Sequence, residues 1–350
     1  MKRDTLFTIA LMVICIGLMI GTFFTDKNPY SQVENRYLTK LSFDNLDEYV
    51  SDYFPFRTEL ISIKNHVEKA LGKTLINGIY LADDDYLIPQ FVESDKKDVV
   101  IEVINNYAKD KTVDVMLVPD SIVINKDKLK RTLIDSEEKD IDYLYKNLNT
   151  NNINLIDSFK KYEDEEKYLY YHNDHHWTSD GAFLAYREYM KSIGMKTDEN
   201  FQRVMVSDDF YGTSSSLVLG LAKPEKIYIY DYKNNLELEY VNENTKSNSL
   251  YNMEYLEKKD QYAMFLDGNH ALIHITNKDL NDGSILVIKN SYANCFIPFI
   301  VNNFKDVYVM DMRYYNDNVS DFVNANSIER TLILYNIENL YSDLSIVKLK

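Results

Sequence analysis

The chain has 350 residues, 45% of them hydrophobic, which is ample material for one large α/β domain or two smaller ones. Its formal net charge of -16 is spread along the sequence and argues against nucleic acid or another anionic surface as a partner. Only two cysteines occur, Cys15 and Cys295, so a disulfide framework is excluded.

The chain begins with an apolar stretch. From Thr5 to Thr25 there is no charged residue. As a helix rising about 1.5 Å per residue, this run spans a bilayer core of about 30 Å. Lys2 and Arg3 keep its start inside, which leaves the rest of the chain outside. A cleaved signal peptide is the competing reading, but the run outlasts the usual apolar core of a signal and no A-x-A-like site follows it. Residues 1–25 are therefore expected to be a signal anchor, 26–44 a polar tether, and 45–350 an extracytoplasmic domain.

Within that domain, apolar spacing predicts helix from Asn45 to Leu71, interrupted at Pro55. Ile79–Leu81 and Tyr86–Ile88, around Asp83-Asp84-Asp85, read as a hairpin. A helix over Lys96–Ala108 leads to a strand, Val113–Val118, that stops at Pro119. A second helix over Ser136–Leu148 leads to a strand over Ile153–Ile156, and this alternation suggests parallel pairing. Another helix runs from Asp180 to Met190. The stretch 204–276 is less regular, with a loop over Tyr211–Ser216 and strands at Ile227–Tyr230 and Leu236–Leu238, and is expected to be an insertion over the sheet. Alternation returns with a strand over Ser284–Ile288, a helix over Tyr292–Asn303, strands at Val307–Met310 and Thr331–Tyr335, and a last helix near Ile337–Leu340. The fold class is α/β with a parallel sheet.

The stretch Tyr171-His172-Asn173-Asp174-His175-His176-Trp177 concentrates His172, His175 and His176, out of only six histidines, together with the single tryptophan. It lies in the loop before the Asp180 helix. In open parallel sheets functional groups gather at the strands' carboxyl ends, which points to Asn290-Ser291. A serine hydroxyl is a poor nucleophile unless a base takes its proton and a carboxylate orients that base. Asp174 and His176 fit those two roles, and a helix start at Ser291 offers N–H groups for an oxyanion. Simple helix capping by Ser291 is the plain alternative. His172, Asp174, His175 and His176 could also ligate zinc, but H-x-x-x-H aligns ligands only on a helix and this stretch reads as loop. Trp177 is expected to pack against the following helix and fix the loop, and His175 to point away from His176. Arg313, beyond the strand Val307–Met310, would either meet a substrate oxygen or pair with Asp311.

Asn173-Asp174-His175-His176-Trp177-Thr178 followed by Gly181-Ala182 resembles the signature of the bacterial DHHW proteins, relatives of the alginate O-acetyltransferases in the SGNH-hydrolase-like superfamily. Glu34-Asn35-Arg36, Phe54-Pro55-Phe56-Arg57, Gly268-Asn269-His270 and Lys289-Asn290-Ser291-Tyr292-Ala293 resemble that family's other blocks, in its order. The resemblance implies a flavodoxin-like, three-layer domain with Ser291 as nucleophile, His176 as base and Asp174 as its orienting partner. It also implies that the Ser291 amide and Asn269 are oxyanion donors. Where the family pattern commonly has aspartate before the serine, this chain has Asn290, which keeps the shape and removes a charge. The expected function is O-acetylation of an envelope polysaccharide, without cofactor or resident metal. By resemblance, a membrane-bound O-acyltransferase partner supplies acetyl groups. An acetyl-esterase or a catalytically silent envelope-binding protein is the alternative.

Overall fold

The computed structural model describes residues 3–25, 28–130, 136–162 and 167–349. Lys2, on which the inside-first orientation leans, lies outside the described residues, as do Asp26 at the start of the expected tether and Lys350 at the end of the domain.

The N-terminal run forms one helix, Arg3–Gly21. Its segment Asp4–Gly21 has a mean hydropathy of 2.2 and none of it is buried, so it is long and apolar enough to cross a membrane. The polar segment after it is held in place. A hairpin pairs Tyr30–Ser31 with Arg36–Tyr37, Arg36 grips Asp52 with both ends of its guanidinium, and Arg57 reaches back to Glu34. The blocks around Arg36 and Arg57, far apart in sequence, thus meet in one ion-pair network. Pro55 falls between the helices Leu46–Asp52 and Arg57–Ala70, where its ring ends one helix before the next begins.

Among the described residues, eight strands form the main sheet. In spatial order they are Thr245–Ser247, Leu236–Tyr240, Leu272–Asn277, Asp306–Met310, Ser284–Lys289, Arg330–Asn336, Val113–Val118 and Asn151–Asn154. The last five pair in parallel and the first three add to them antiparallel. Side chains along each central strand alternate between two cores, because a strand turns successive residues to opposite faces. Ile285 and Val287 join one core with Trp177, Tyr186 and Phe296, while Leu286 and Ile288 join the other with Val100, Ile104, Ile141 and Leu144. Helices Lys97–Tyr107 and Ser136–Asn147 cover the second face, and helix Ser179–Ser192 the first.

Four local expectations change. The strand expected over Ile153–Ile156 ends at Asn154, whose side-chain oxygen accepts the Ile156 amide and turns the chain into a short helix, Ile156–Lys160. Within 204–276, Gln202–Phe210 and Glu225–Asp231 form a separate antiparallel pair, but Leu236–Tyr240 and Leu272–Asn277 extend the main sheet instead of covering it. Thr213–Leu217 is a short helical turn, not loop. The helix expected over Tyr292–Asn303 divides into a tight turn, Ser291–Cys295, and a short helix, Ile297–Ile300, with Pro298 in its first turn.

Candidate active site

The parallel strands deliver their carboxyl ends to one edge, and Asp120, Ser291, Asp311 and Asn336 all lie there. Ser291 follows the strand Ser284–Lys289 by two residues and opens the tight turn, with Asn290 as its cap. The loop facing it is closed by a bridge between Tyr170 and Trp177. Thr178 caps the following helix by accepting the Gly181 amide. Gly181 carries no side chain because a Cβ there would sit 2.5 Å from the Leu169 carbonyl oxygen.

The loop brings Asp174 and His176 to Ser291. His176 Nε2 lies 2.8 Å from Ser291 Oγ and its Nδ1 2.5 Å from Asp174 Oδ1. A carboxylate only accepts, so the imidazole proton sits on Nδ1, and Nε2 is left to accept the serine proton. Asp174 receives four donors: the His176 amide (2.9 Å) and ring on Oδ1, and the Thr213 amide (2.6 Å) and hydroxyl (3.0 Å) on Oδ2. These fill the lone-pair positions of a carboxylate. Burial works to raise its pKa, but the charges of His176 and His175 and the bonds from His176 and Thr213 outweigh it and hold the group far below its usual range. Asp174 is therefore held ionised at neutral pH.

The loop bends, and His175 does not point away. Its ring lies against that of His176, with centroids 3.8 Å apart, and its Nδ1 donates to Thr213 Oγ1 at 2.5 Å, so it steadies the hydroxyl that holds Asp174. Burial and the neighbouring imidazole push its pKa down to about 4, which keeps it neutral at ordinary pH. On the other face of His176, Tyr262 stacks at 3.8 Å and 9° between planes, with its hydroxyl 3.3 Å from the Ser291 carbonyl oxygen. Trp177, fully buried, donates from Nε1 to the Tyr292 carbonyl at 2.7 Å and packs near Phe296. It thus braces the serine's own segment, and its Cβ also lies against Gly181 in the first turn of the helix that follows it.

Asp174, His175 and His176 offer ligand atoms within 4.8 Å of one another. A cation there would have to displace donors from Asp174 and compete with Ser291 and Thr213 for the rings. His172 is elsewhere, with its ring on Glu225 at 2.8 Å. Arg313 holds Asp311 through Nε at 2.9 Å and Nη2 at 2.6 Å, the pairing weighed from the sequence. Asn269 lies exposed, with its side-chain oxygen accepting from Lys289 Nζ. Asn290 spends its amide on the backbone and on Asn336: Oδ1 accepts from Tyr292 N at 3.3 Å and Nδ2 donates to Asn336 Oδ1 at 2.6 Å.

Sequence reasoning missed Thr213, Tyr262 and Tyr292. Thr213 and Tyr262 lie in the irregular stretch where periodicity is silent, nothing distinguishes Tyr262 among 29 tyrosines, and Tyr292 stands out only by following Ser291 in the block that resembles the family. A cleft of about 610 Å³ opens beside the site, lined by Val33, Tyr211, Lys259 and Gln261 among others. Tyr211 and Gln261 adjoin Gly212 and Tyr262, which touch Asp174 and His176 respectively.

A family model described as DHHW protein matches residues 30–310. Among solved structures, the chain is similar to a DHHW family protein from Eubacterium siraeum DSM 15702, at 18% identity and a TM-score of 0.67, over 78% of this chain and 95% of that one. It is similar to Bacillus cereus PatB1 at 25% identity and a TM-score of 0.65, over 78% of this chain and 99% of that one. A PatB1 structure with a sulfonyl adduct matches at 24% identity and a TM-score of 0.64, over 78% and 98%. No curated protein sequence matches significantly.

Proposed function

The chain belongs to the DHHW family, and on that premise we propose that it is an extracytoplasmic, serine-dependent O-acyltransferase that acetylates a cell-envelope polysaccharide. The observation that carries the reading is the unbroken path from Asp174 through His176 to Ser291 Oγ. In the first step Ser291 Oγ attacks an acetyl carbonyl as its proton passes to His176 Nε2. Collapse of the tetrahedral intermediate releases the donor's leaving group, which takes that proton, and leaves acetyl-Ser291. A sugar hydroxyl then gives its proton to His176 and attacks the acyl carbon, and the returning proton regenerates Ser291.

The Ser291 amide and Asn269 Nδ2 are the proposed oxyanion donors, and the acceptor enters along the cleft beside Tyr211 and Gln261. Arg313, occupied by Asp311, has one guanidinium edge left for a substrate oxygen. The domain belongs to the SGNH-hydrolase type in this reading. The helix Arg3–Gly21 anchors it at the outer face of a bacterial membrane, where a membrane-bound O-acyltransferase delivers acetyl groups.

The test uses the full chain with 4-nitrophenyl acetate, with and without an oligosaccharide acceptor. Replacing Ser291 by alanine is expected to lower acetyl release by on the order of 10³ or more. Full activity in Ser291→Ala would overturn the assignment. Release of acetate that no acceptor diverts would make the protein an esterase using the same residues.

A further inference from the structure

Lys289 is buried, 1% exposed, on the last residue of the strand that delivers Ser291. A lysine there is costly unless its ammonium is fully engaged. It donates to Asn269 Oδ1 at 2.7 Å and to Asn294 Oδ1 at 2.8 Å, with Asp311 Oδ2 at 3.6 Å. Burial, opposed by Asp311, lowers its pKa to about 8, so it remains charged at neutral pH. Asn294 Nδ2 also approaches Asn269 Oδ1, at 3.3 Å, and the Gly268 carbonyl at 3.2 Å. Asn269 thus bridges residues on either side of Ser291 in the turn.

Two donors on one amide oxygen settle which way the amide faces. Were it reversed, its NH₂ group would confront an ammonium and a second NH₂ group. Nδ2 is therefore turned outward, on an exposed residue at the strand's carboxyl edge. The backbone leading to it is strained in a way that also needs a reason. Leu266 (φ 59°), Asp267 (φ 60°) and Gly268 (φ 91°) are all left-handed, and only the glycine adopts that without penalty. Leu266 is fully buried besides, so tertiary packing holds the turn.

We propose that Lys289 is a positioning residue: its ammonium, with Asn294, locks the Asn269 amide so that Nδ2 is presented as an oxyanion donor beside Ser291. The inference rests on Ser291 being the nucleophile. Lys289 touches no substrate and acts only through Asn269, which predicts that the two residues are coupled in kinetics.

A double-mutant cycle with 4-nitrophenyl acetate tests this on the full chain. Asn269→Ala is expected to lower kcat by on the order of 10²–10³. Lys289→Met is expected to lower kcat by about tenfold or more with KM within about twofold, because methionine fills the volume but lets the amide turn. Asp311 keeps Arg313 in that variant, so the fold retains its other ion pair. The double variant should be no slower than Asn269→Ala alone. Lys289→Gln, whose amide can still donate to Asn269 Oδ1, should recover part of the loss, and it replaces methionine in the cycle if Lys289→Met does not fold. Losses that multiply in the double variant, or a Lys289→Met enzyme within about twofold of the parent, would overturn the proposal. The rate of Ser291 labelling by phenylmethylsulfonyl fluoride supplies a second readout, since charge develops on a sulfonyl oxygen at the same place. Ser291→Ala separates the two failures: if it stays active the nucleophile is wrong, and if it is dead while the cycle is additive, only the role of Lys289 is wrong.

Discussion

Asp174 shows how closely the residues around the triad are fitted. The chain passing over it is Gly212-Thr213, whose backbone and hydroxyl occupy Asp174 Oδ2. A Cβ at Gly212 would lie 2.2 Å from Asp174 Cβ and 2.3 Å from Oδ2. Its φ of -77° is ordinary, so alanine would bring no backbone strain, only this collision. Gly212→Ala is therefore expected to displace the carboxylate from His176 and cut kcat by on the order of 10², since misplacement by about 1 Å costs that much. It should destabilise the fold by about 1–3 kcal/mol. Steady-state kinetics and a melting curve check both, and a variant with unaltered kcat would mean that the loop can give way without loss. Asn290 teaches a related lesson. It stands where the resemblance leads one to expect aspartate, and the structure uses its NH₂ group on Asn336, whose own NH₂ group goes to Asp120 at 2.9 Å. An amide can pass this chain on as a donor where an ionised carboxylate could only accept.

Among the elements, the carboxyl ends of neighbouring strands place acids under the site, Asp311 buried and Asp120 half-buried. Burial and the nearby Glu338, only partly opposed by bonds from Asn336 and Tyr292, raise Asp120 from 3.8 to about 7. The Tyr292 hydroxyl has one proton and two acceptors in reach, Asp120 and the His175 carbonyl, so a protonated Asp120 eases the conflict. Between about pH 4 and 7 the folded chain holds a proton here that the unfolded chain releases. This stabilising contribution is full below the unfolded value and lost as pH rises through 7. Buried Glu137, also raised by burial and by Asp120, has the same sign. His175, lowered from 6.5 to about 4, has the opposite sign, and its contribution is lost as pH falls through that window. The parent's pH profile is thus a sum of opposing slopes, and only a difference isolates Asp120. Asp120→Asn should melt close to the parent near pH 4 and progressively above it towards pH 8. A constant difference across that range would show that Asp120 titrates normally. None of this was legible in the sequence, because the half-buried Asp120 has its Oδ2 shut off from solvent only when Tyr292 and Asn336 arrive from remote segments. Two central strands were legible, since Val113–Val118 and the expected Ser284–Ile288 are mostly apolar on both faces and bounded by punctuation, whereas Gln202–Phe210 and Leu272–Asn277 were not expected. Asp174, His176 and Ser291 could be nominated because their residue types are rare at such positions or follow a strand closely. The distances that join them depend on loops without periodicity.

Over the whole molecule, the described part of the segment expected to be a tether, from Asn28 on, is held against the folded domain. Asp52 receives Arg36, the Thr39 amide and the Thr39 hydroxyl, and its side chain is only 7% exposed. Burial works against its charge, but these bonds prevail and lower its pKa to about 2. Val33 and Gln32 of the same hairpin line the cleft that also takes in Tyr211 and Gln261, so the link between the apolar helix and the domain shapes that cleft as well. Two shortened chains separate these roles. One that starts at Asn28 removes the apolar helix and keeps the hairpin, and it should remain folded and leave the membrane. One that starts at Lys40 also removes Arg36 and Thr39, stranding Asp52 with Arg57 at 3.9 Å. Allowing for the 40% exposure of Arg36, the added loss should be about 1–3 kcal/mol. Since Asp52 is depressed in the fold, its contribution is present above about pH 4 and disappears as pH falls towards 2. The gap in melting temperature between the two chains should therefore be widest near neutrality and close on acidification. Equal melting at pH 7 would reduce the hairpin to a passive linker and remove its claim on the cleft.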